Sequence, residues 1–524
     1  MSTPSMPHAA KDFGRAAILL CASDDVAVLK EPVKAGTELV KGPLWLRVAQ
    51  DLGAGHKIAV REIAADAPVR KYGQIIGFAQ GRIAPGEHVH THNLVMKDFA
   101  REHQFCAEAR PVGRHPPEQM RYFQGYPRPG GRAGTRNYIA VISSVNCSAS
   151  VSCQVRDRFR TGAFQRDFPN VDGVAAFTHK AGCGSEASEG LRVLQRVLAG
   201  FARHPNVSAC VLLGLGCETN HLEALRQAGG LDQPGPGETA PVFLNVQTAG
   251  GARKTVEAGV AAVGRLLPAA NALRRAPQPL SKLVLAENCG GSDAHSGITA
   301  NPALGVASDE LVRYGGTSVL AETPEIYGAE HLLTRRAASR EVAEKLLERI
   351  SWWEEHTRRH GCSLDHNPSY GNKLGGLTNI YEKSLGAVAK GGQSPLAAVY
   401  QYAEPILASG LCFMDTPGFD PVSMTGLVAG GCNIGVFTTG RGSVYGCKPA
   451  PCIKVASTTA LYHWMEEDMD LNAGTILDGT ETVAQAGMRL FEQIVAVAGG
   501  EKTKSELAGL GDEEFAPWQL GPTL

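Results

Sequence analysis

The sequence has no apolar run that could cross a lipid bilayer. A membrane-spanning helix needs roughly 20 consecutive apolar residues, whereas the apolar stretch from Ala16 to Ala22 meets Asp24 and Asp25 at once. A signal-peptide pattern is missing as well. These absences predict a cytoplasmic protein that does not bind membranes.

An excess of charge of either sign is also missing. The 524 residues include 51 Lys and Arg residues against 52 Asp and Glu residues, which gives a formal net charge of -1 at pH 7. A chain without a basic excess has no bulk attraction to nucleic acids. We therefore expect no nucleic-acid partner, and any anionic ligand must be small and locally recognised.

Disulfide pairing cannot account for all 13 cysteines, because an odd number cannot pair completely within one chain. In a protein without export signals, thiols are expected to stay reduced. Most buried free cysteines behave as small hydrophobic residues, so a ligand role must be argued for each one separately.

The chain is long enough for roughly three or four domains. Residues 1–13 resemble a flexible tail. Residues 14–95 contain short apolar runs broken by Gly and Asp, with little helical period, which predicts a small β-rich domain. Residues 96–130 are polar and rich in Pro and Gly, as is typical of a linker.

After the linker, apolar runs alternate with helical patterns. Candidate buried strands such as NYIAVISS, VDGVAAFT and VSACVLLG are each followed by a segment that can form a helix. This alternation predicts an α/β fold with mostly parallel sheets. A boundary near residue 280 separates a second domain, residues 131–280, from a C-terminal domain, residues 281–524.

Four cysteines follow candidate strands in this alternation, namely Cys147, Cys183, Cys217 and Cys289. Open α/β sheets bind ligands beyond the carboxyl ends of their strands. Thiolates select iron or zinc and not magnesium, so the four positions predict a metal site or a site of reactive thiols. The alternative is four unrelated buried thiols.

A second candidate for metal binding is the tract GEHVHTHN, residues 86–93. Alternate side chains of a strand share a face, so we expect His88, His90 and His92 to project in the same direction. An H-x-H pair can bind one metal ion, and imidazole suits both iron and zinc. A solvated, histidine-rich edge strand is the alternative interpretation.

Polar groups are dense in the segment ENCGGSDAHSGITANPALG, residues 287–305. Within it, Asp293 and His295 are candidates for proton transfer. His179 and Glu218, which lie in the cysteine-bearing turns, are further candidates for the catalytic acid and base. The sequence leaves the roles among these four residues open.

Single basic residues lie among glycines in two later segments, NPSYGNKLGGL and FTTGRGS. Lys373 and Arg441 can each bind a carboxylate, and the arginine can do so through two hydrogen bonds. Asn372 and Ser292 complete the set of substrate-binding candidates. Ordinary surface charge is the alternative for both basic residues.

Taken in order, these motifs resemble the galactarate/altronate dehydratases from about residue 16 to residue 500. The resemblance implies an N-terminal SAF domain and an iron-dependent hydro-lyase, which converts altronate or a related sugar acid to its 2-keto-3-deoxy acid. Fe²⁺ is the implied cofactor. Mn²⁺ as a substitute and an iron–sulfur cluster are both left open.

Within this family, the tract H-V-H-x-H-N favours altronate over galactarate as the substrate. Sulfolactate-cleaving relatives share the motifs but typically carry the SAF domain on a separate chain. The resemblance leaves galactarate dehydration and sulfolactate cleavage as alternatives. We also expect a homo-oligomer, with a dimer as the simplest form.

Two other classes of function remain open. A nicotinamide-dependent oxidoreductase would fit the α/β pattern, but the dinucleotide fingerprint in GLGCET is interrupted at Thr219. A non-catalytic carbohydrate-binding protein would fit a SAF domain, but it would leave the glycine-rich cysteine turns unexplained. Titration with the nicotinamide cofactor distinguishes the first of these from a dehydratase.

Overall fold

The computed structural model describes residues 10–99, 103–184, 188–231, 237, 239–521 and 523–524. The predicted α/β architecture is confirmed in this part of the chain: a β-rich N-terminal part precedes two parts built on parallel sheets. None of the helices described is both long enough and apolar enough to cross a membrane.

The N-terminal part, residues 10–99, is made of short strands. Its elements are β1 (Lys11–Asp12), α1 (Phe13–Ala16), β2 (Ala17–Ile18), β3 (Val26–Leu29), β4 (Glu38–Lys41), β5 (Leu44–Arg47), β6 (Lys57–Ala59), β7 (Pro68–Lys71), β8 (Gln74–Ala79), β9 (His88–Val89) and β10 (Leu94–Val95). Strands β2, β3, β6 and β9 form an antiparallel sheet. Residues 1–9 of the predicted tail lie outside the described residues, whereas β1 pairs with β4 and Phe13 is buried.

The second part contains a parallel sheet of four strands in the order β14-β13-β15-β16. Its elements are β11 (Tyr122–Pro127), β12 (Ala133–Gly134), β13 (Tyr138–Ser143), α2 (Ala149–Asp157), α3 (Phe164–Asp167), β14 (Gly173–Phe177), α4 (Glu189–Ala202), β15 (Val207–Gly214), α5 (Leu222–Ala228), β16 (Val242–Asn245), α6 (Val246–Ala249), α7 (Ala252–Ala272) and β17 (Ala276–Pro279). All of β13 is buried, because Ile139 and Val141 pack against α2 and α7 while Ala140 and Ile142 face α4.

The C-terminal part is built on a seven-stranded sheet in the order β20-β21-β19-β18-β22-β23-β24, with all strands parallel. Its elements are β18 (Val284–Cys289), α8 (Ala300–Arg313), β19 (Thr317–Leu320), α9 (His331–Thr334), α10 (Arg340–Arg359), α11 (Tyr370–Leu374), α12 (Ile380–Ala387), β20 (Leu396–Tyr400), β21 (Gly410–Met414), α13 (Asp420–Gly430), β22 (Ile434–Thr439), β23 (Cys452–Ala456), α14 (Thr459–Trp464), β24 (Leu471–Asn472), α15 (Val483–Ala498) and α16 (Lys504–Leu507).

Part of the segment predicted as a linker forms a strand. β11 pairs with β17 in antiparallel register, from Tyr122 opposite Pro279 to Gly125 opposite Ala276. Pro127 lies at the end of β11, where the missing N–H group is tolerated. The chain therefore enters and leaves the second part through neighbouring strands.

The two parallel sheets point the same way. Helices α4 and α13 pack side by side, and a Cβ atom on Gly200, near the end of α4, would lie only 2.2 Å from the carbonyl oxygen of Ala429, near the end of α13. At the amino ends of the strands, Asn206, which precedes β15, donates a hydrogen bond to the carbonyl oxygen of Asn433, which precedes β22. The carboxyl ends of the strands in both sheets consequently face one side of the molecule.

A buried carboxylate joins the N-terminal part to the C-terminal part. Glu382, in α12, lies 2.9 Å from the Nζ of Lys57 and 2.8 Å from the Nζ of Lys71, and all three side chains are 0% exposed. Lys57 also donates a hydrogen bond to the carbonyl oxygen of Gly376. Burial raises the pKa of Glu382, but the two lysine charges outweigh this and hold it far below its usual value.

At this junction the backbones of the N-terminal and C-terminal parts approach so closely that only glycine fits. A Cβ atom on Gly376 would lie 2.2 Å from the carbonyl oxygen of Gly55, and a Cβ on Gly55 would lie 2.8 Å from the oxygen of Gly375. Both Gly376 and Gly55 also have a positive φ, a backbone conformation that favours glycine. The N-terminal part is thus seated directly on the loop after α11.

We predict that Glu382→Gln weakens this docking by about 3–5 kcal/mol, because removal of one partner leaves buried charges uncompensated. The thermal unfolding midpoint should fall by several degrees, and limited proteolysis should release the N-terminal part. Glu62→Gln is the matched control, since its partner Arg82 is exposed and such pairs contribute about 0–1 kcal/mol. Equal effects of the two substitutions would contradict the prediction.

Candidate functional site

The histidine tract turns back on itself at the junction of the N-terminal and C-terminal parts. Only His88 and Val89 belong to a strand, and the next residues form a turn, so the tract is not the continuous strand expected from the sequence. The rings still cluster, with centroid distances of 5.1 Å from His88 to His90 and 5.3 Å from His88 to His92. Asn93 holds the turn, because its side chain accepts from the His90 N–H and donates to the His88 carbonyl.

Sequence reasoning missed a fourth histidine of this cluster, His56. Its Nδ1 lies 3.0 Å from Nε2 of His88, and its ring centroid lies 5.4 Å from that of His90. The antiparallel pairing of β6 with β9 brings these residues together, and no local motif marks His56. Burial is the main cause that lowers the pKa of His88 to about 3 and that of His90 to about 4, so both imidazoles are neutral at pH 7, as metal ligands must be.

Hydrogen bonds connect the histidine cluster and its neighbourhood to the C-terminal part. Nε2 of His90 donates to the carbonyl oxygen of Lys373 over 3.0 Å, and Nε2 of His295 donates to that of Leu29 over 2.9 Å. A carbonyl oxygen can only accept, so each Nε2 carries the hydrogen. The Nε2–H bond to Leu29 leaves Nδ1 as the ring nitrogen of His295 nearest to Asp293.

Asp293 and His295 are buried next to each other. Nδ1 of His295 lies 3.8 Å from a carboxylate oxygen of Asp293. The other oxygen accepts hydrogen bonds of 2.8 Å from both the N–H and the hydroxyl of Ser296, and one of 3.1 Å from the hydroxyl of Ser457. Gly440, in the FTTGRGS motif, must be glycine because its Cβ would lie 2.1 Å from Cγ of Asp293. The arrangement fixes a carboxylate beside an imidazole that can take up a proton.

The four predicted substrate-binding residues lie around the same loop. The Arg441 N–H donates to the carbonyl oxygen of Gly291 over 2.8 Å, and the arginine side chain is exposed. Lys373 is half-buried. Asn372 is buried and donates from Nδ2 to the carbonyl oxygen of Ser292 over 2.8 Å. The amide of Asn372 therefore holds α11 against the loop of Ser292, whereas the two basic side chains remain accessible to a ligand.

Cys289 lies in a separate, fully buried cluster. The ligand atoms of Cys289, Glu322 and Glu325 all lie within 4.8 Å of one another, so this group could hold a metal ion. Lys390 already lies 2.9 Å from the Cys289 sulfur and 2.7 Å from Glu322, and Lys383 lies 2.7 Å from Glu325. Two ammonium groups thus neutralise the two carboxylates. No local pattern in the sequence marked these acidic and basic residues.

Several polar atoms around this cluster have no hydrogen-bond partner among the described residues. They are Oε1 of Glu322, Oε2 of Glu287 and both side-chain atoms of the Asn288 amide. Unpaired buried polar groups are rare in folded proteins and each needs an explanation. These atoms lie in β18 and just after β19, next to the Cys289 cluster.

The other three predicted cysteines, Cys147, Cys183 and Cys217, follow β13, β14 and β15 in the second part and are exposed. The predicted metal ligands therefore lie in three places: the histidine junction, the buried Cys289 cluster and the edge of the second sheet.

His179 and Glu218 support the loops that carry these cysteines. His179 donates from Nε2 to the carbonyl oxygen of Ser143, and its Nδ1 accepts from the N–H of Ala181. Burial raises the pKa of Glu218, but hydrogen bonds from Ser144 and from backbone N–H groups lower it by more. Their predicted role in proton transfer stays a prediction, and the contacts of both residues stabilise loops.

Three family models match consecutive parts of the chain. Residues 15–97 match the altronate/galactarate dehydratase SAF domain. Residues 125–271 match the D-galactarate dehydratase/altronate hydrolase second domain, and residues 280–523 match the D-galactarate/altronate dehydratase C-terminal domain. The N-terminal part is hereafter called the SAF domain.

Full-length relatives match as well. The chain is 34% identical to an altronate dehydratase of Bacillus subtilis (strain 168), with 96% of this chain and 98% of the relative covered. It is 33% identical to an altronate dehydratase of Escherichia coli (strain K12), over 97% and 99% of the two chains. Identity to a galactarate dehydratase (L-threo-forming) of the same Escherichia coli strain is 36%, over 94% of each chain. The protein belongs to the galactarate/altronate dehydratase family.

Proposed function

We propose that this protein dehydrates a sugar acid to its 2-keto-3-deoxy acid and that altronate is its substrate. The observation that carries the proposal is the convergence at the SAF junction. Neutral imidazoles lie against helix α11, which holds Lys373. The neighbouring loops hold Asp293, His295 and Arg441. This set combines a potential metal site, a proton-transfer pair and two accessible cations. A binding protein would have no need of the buried Asp293–His295 pair.

The reaction removes a proton from the carbon beside a carboxylate, and the hydroxyl of the next carbon then takes up a proton and leaves as water. Negative charge builds up on the carboxylate during the first step, so preorganised cations and donors must stabilise it. Lys373 and Arg441 bind the carboxylate in this proposal. Nδ1 of His295, oriented by Nε2–H bonding to Leu29, receives the proton, and the adjacent Asp293 carboxylate stabilises the resulting imidazolium.

Iron is the metal we propose for this site. Neutral imidazole is a donor that Fe²⁺ accepts, and His88 and His90 would supply two of the ligands of the ion, with Mn²⁺ as a substitute. When bound, the ion would act as a Lewis acid on the substrate carboxylate. We prefer the histidines to the Cys289 cluster, because the ammonium groups of Lys390 and Lys383 already neutralise the carboxylates of that cluster.

Altronate is favoured over galactarate by the histidine tract, not by overall identity, since relatives of both kinds are similar to this chain by about the same amount. We further propose that the protein acts in the cytoplasm as a homo-oligomer. All 13 cysteines are free thiols, which suits a reducing compartment.

The direct test is an anaerobic assay of the purified protein with altronate, galactarate and sulfolactate. We expect 2-keto-3-deoxy acid from altronate, and we expect exhaustive chelation to abolish it until Fe²⁺ is restored. Formation of product from galactarate alone would correct the substrate, and sulfite release from sulfolactate would correct the reaction. Turnover that survives complete removal of metal would overturn the iron requirement. Spectral titration with a nicotinamide cofactor tests the oxidoreductase alternative, which requires that this cofactor binds.

Substitution Arg441→Ala should act mainly on substrate binding. Loss of a pair of charge-assisted hydrogen bonds removes about 1.5–3 kcal/mol of the free energy of substrate binding. This corresponds to a rise in KM of roughly ten- to hundredfold. Arg253→Ala, which removes an exposed arginine from α7, is the matched control and should leave KM unchanged. An unchanged KM in the Arg441 variant would show that this arginine lies off the site.

The substitutions His88→Ala and His90→Ala should lower both iron content and kcat, because each removes a proposed ligand while leaving the Glu382 contacts intact. His463→Ala is the control, since that histidine is exposed on α14. Normal iron content and near-normal kcat in both variants would mean that the tract is a solvated surface without a metal role.

A further inference from the structure

The three exposed cysteines of the second part lie at the ends of adjacent strands. Cys147 follows β13, the central strand of the three, while Cys183 follows β14 on one side and Cys217 follows β15 on the other. All three are exposed, although free cysteines are usually among the most buried residues. Their exposure on neighbouring turns has no explanation in packing.

Hydrogen bonds hold these three turns together. The N–H of Asn146 donates to the carbonyl oxygen of Ala181 over 3.0 Å, and the N–H of Thr219 donates to the carbonyl oxygen of Cys183 over 2.9 Å. The side chain of Asn146 also donates to the carbonyl oxygen of His179. The turn of Cys183 is therefore bonded directly to the turns of both other cysteines.

Glu218 provides a further link between two of the turns. Its carboxylate accepts hydrogen bonds from the hydroxyl of Ser144 over 2.6 Å and from the N–H of Gly216 over 2.6 Å. Asn220 donates to the carbonyl oxygen of Ser144 as well. Thus the turns of Cys147 and Cys217 are fixed to each other without using either thiol.

The three exposed thiols are not gathered around the position of a single ion. Among the described residues, only Cys289, Glu322 and Glu325 form a group of three ligand atoms that all lie within 4.8 Å of one another. A cluster of several irons bridged by sulfide binds one thiolate at each of several irons, so its ligands need not converge on one point.

We propose that Cys147, Cys183 and Cys217 hold an iron–sulfur cluster of the [4Fe–4S] type, with one iron left without a protein thiolate. Each thiol loses its proton as its sulfur binds iron, and no oxidation or reduction is needed for the assembled cluster to bind. The iron without a thiolate is a Lewis acid on the side of the molecule toward which the strands of both sheets point. A catalytic use of this iron rests on the proposed function, whereas the cluster site itself does not.

The test is anaerobic purification followed by measurement of iron, acid-labile sulfide, visible absorption and electron paramagnetic resonance after reduction. We expect about four sulfides per chain, and we expect Cys147→Ala, Cys183→Ala and Cys217→Ala each to lose sulfide and the visible absorption while keeping the far-ultraviolet circular dichroism of the parent. Cys362→Ala, a partly buried cysteine outside these turns, is the matched control and should keep the cluster.

Iron without sulfide in the parent protein, or full sulfide in all three variants, would overturn the proposal. His88→Ala separates the two iron sites, because it should lower iron and leave sulfide unchanged. The cluster and the proposed function can also fail independently: sugar-acid turnover without sulfide would refute the cluster alone, and a full cluster without any turnover would refute the function alone.

Discussion

The buried contact of Glu382 with Lys57 and Lys71 is the constraint on which the architecture of the junction depends. Two lysines of the SAF domain share one carboxylate of the C-terminal part, and all three are shielded from solvent. Burial of these three charged groups costs desolvation free energy, and removal of any one of them leaves a buried charge without its partner. The contact therefore specifies a single docked position of the SAF domain, and the hydrophobic core shared between the two parts fills the remaining interface.

That docked position places the histidine cluster. With Lys57 fixed in β6, the preceding His56 and the paired strand β9 are fixed as well, so the imidazoles lie against the loop after α11. Helix α11 itself provides Lys373 and Asn372, and Asn372 is bonded to the loop that carries Asp293. The interdomain contact thus fixes the position of the histidine cluster. Hydrogen bonds then connect this cluster to α11 and connect α11 to the loop that carries Asp293.

The strands, their parallel arrangement and the cysteine-bearing turns could be predicted from the sequence, because buried parallel strands are continuous apolar runs such as YIAVIS. The strand β11 could not, since its proline and glycine also suit a linker. Three residues could not be predicted for another reason, namely His56, Glu322 and Lys390. Each acquires its role through contacts with residues distant in the chain, and no local pattern records such contacts.

The central claim is that the docked SAF domain completes the active site. Its most direct test is to cut the chain at residues 100–102 and to measure altronate dehydration by the large fragment alone and after addition of the SAF fragment. We expect the large fragment to fold but to be inactive, and we expect the SAF fragment to bind it and restore turnover. Full turnover by the large fragment alone would contradict the account.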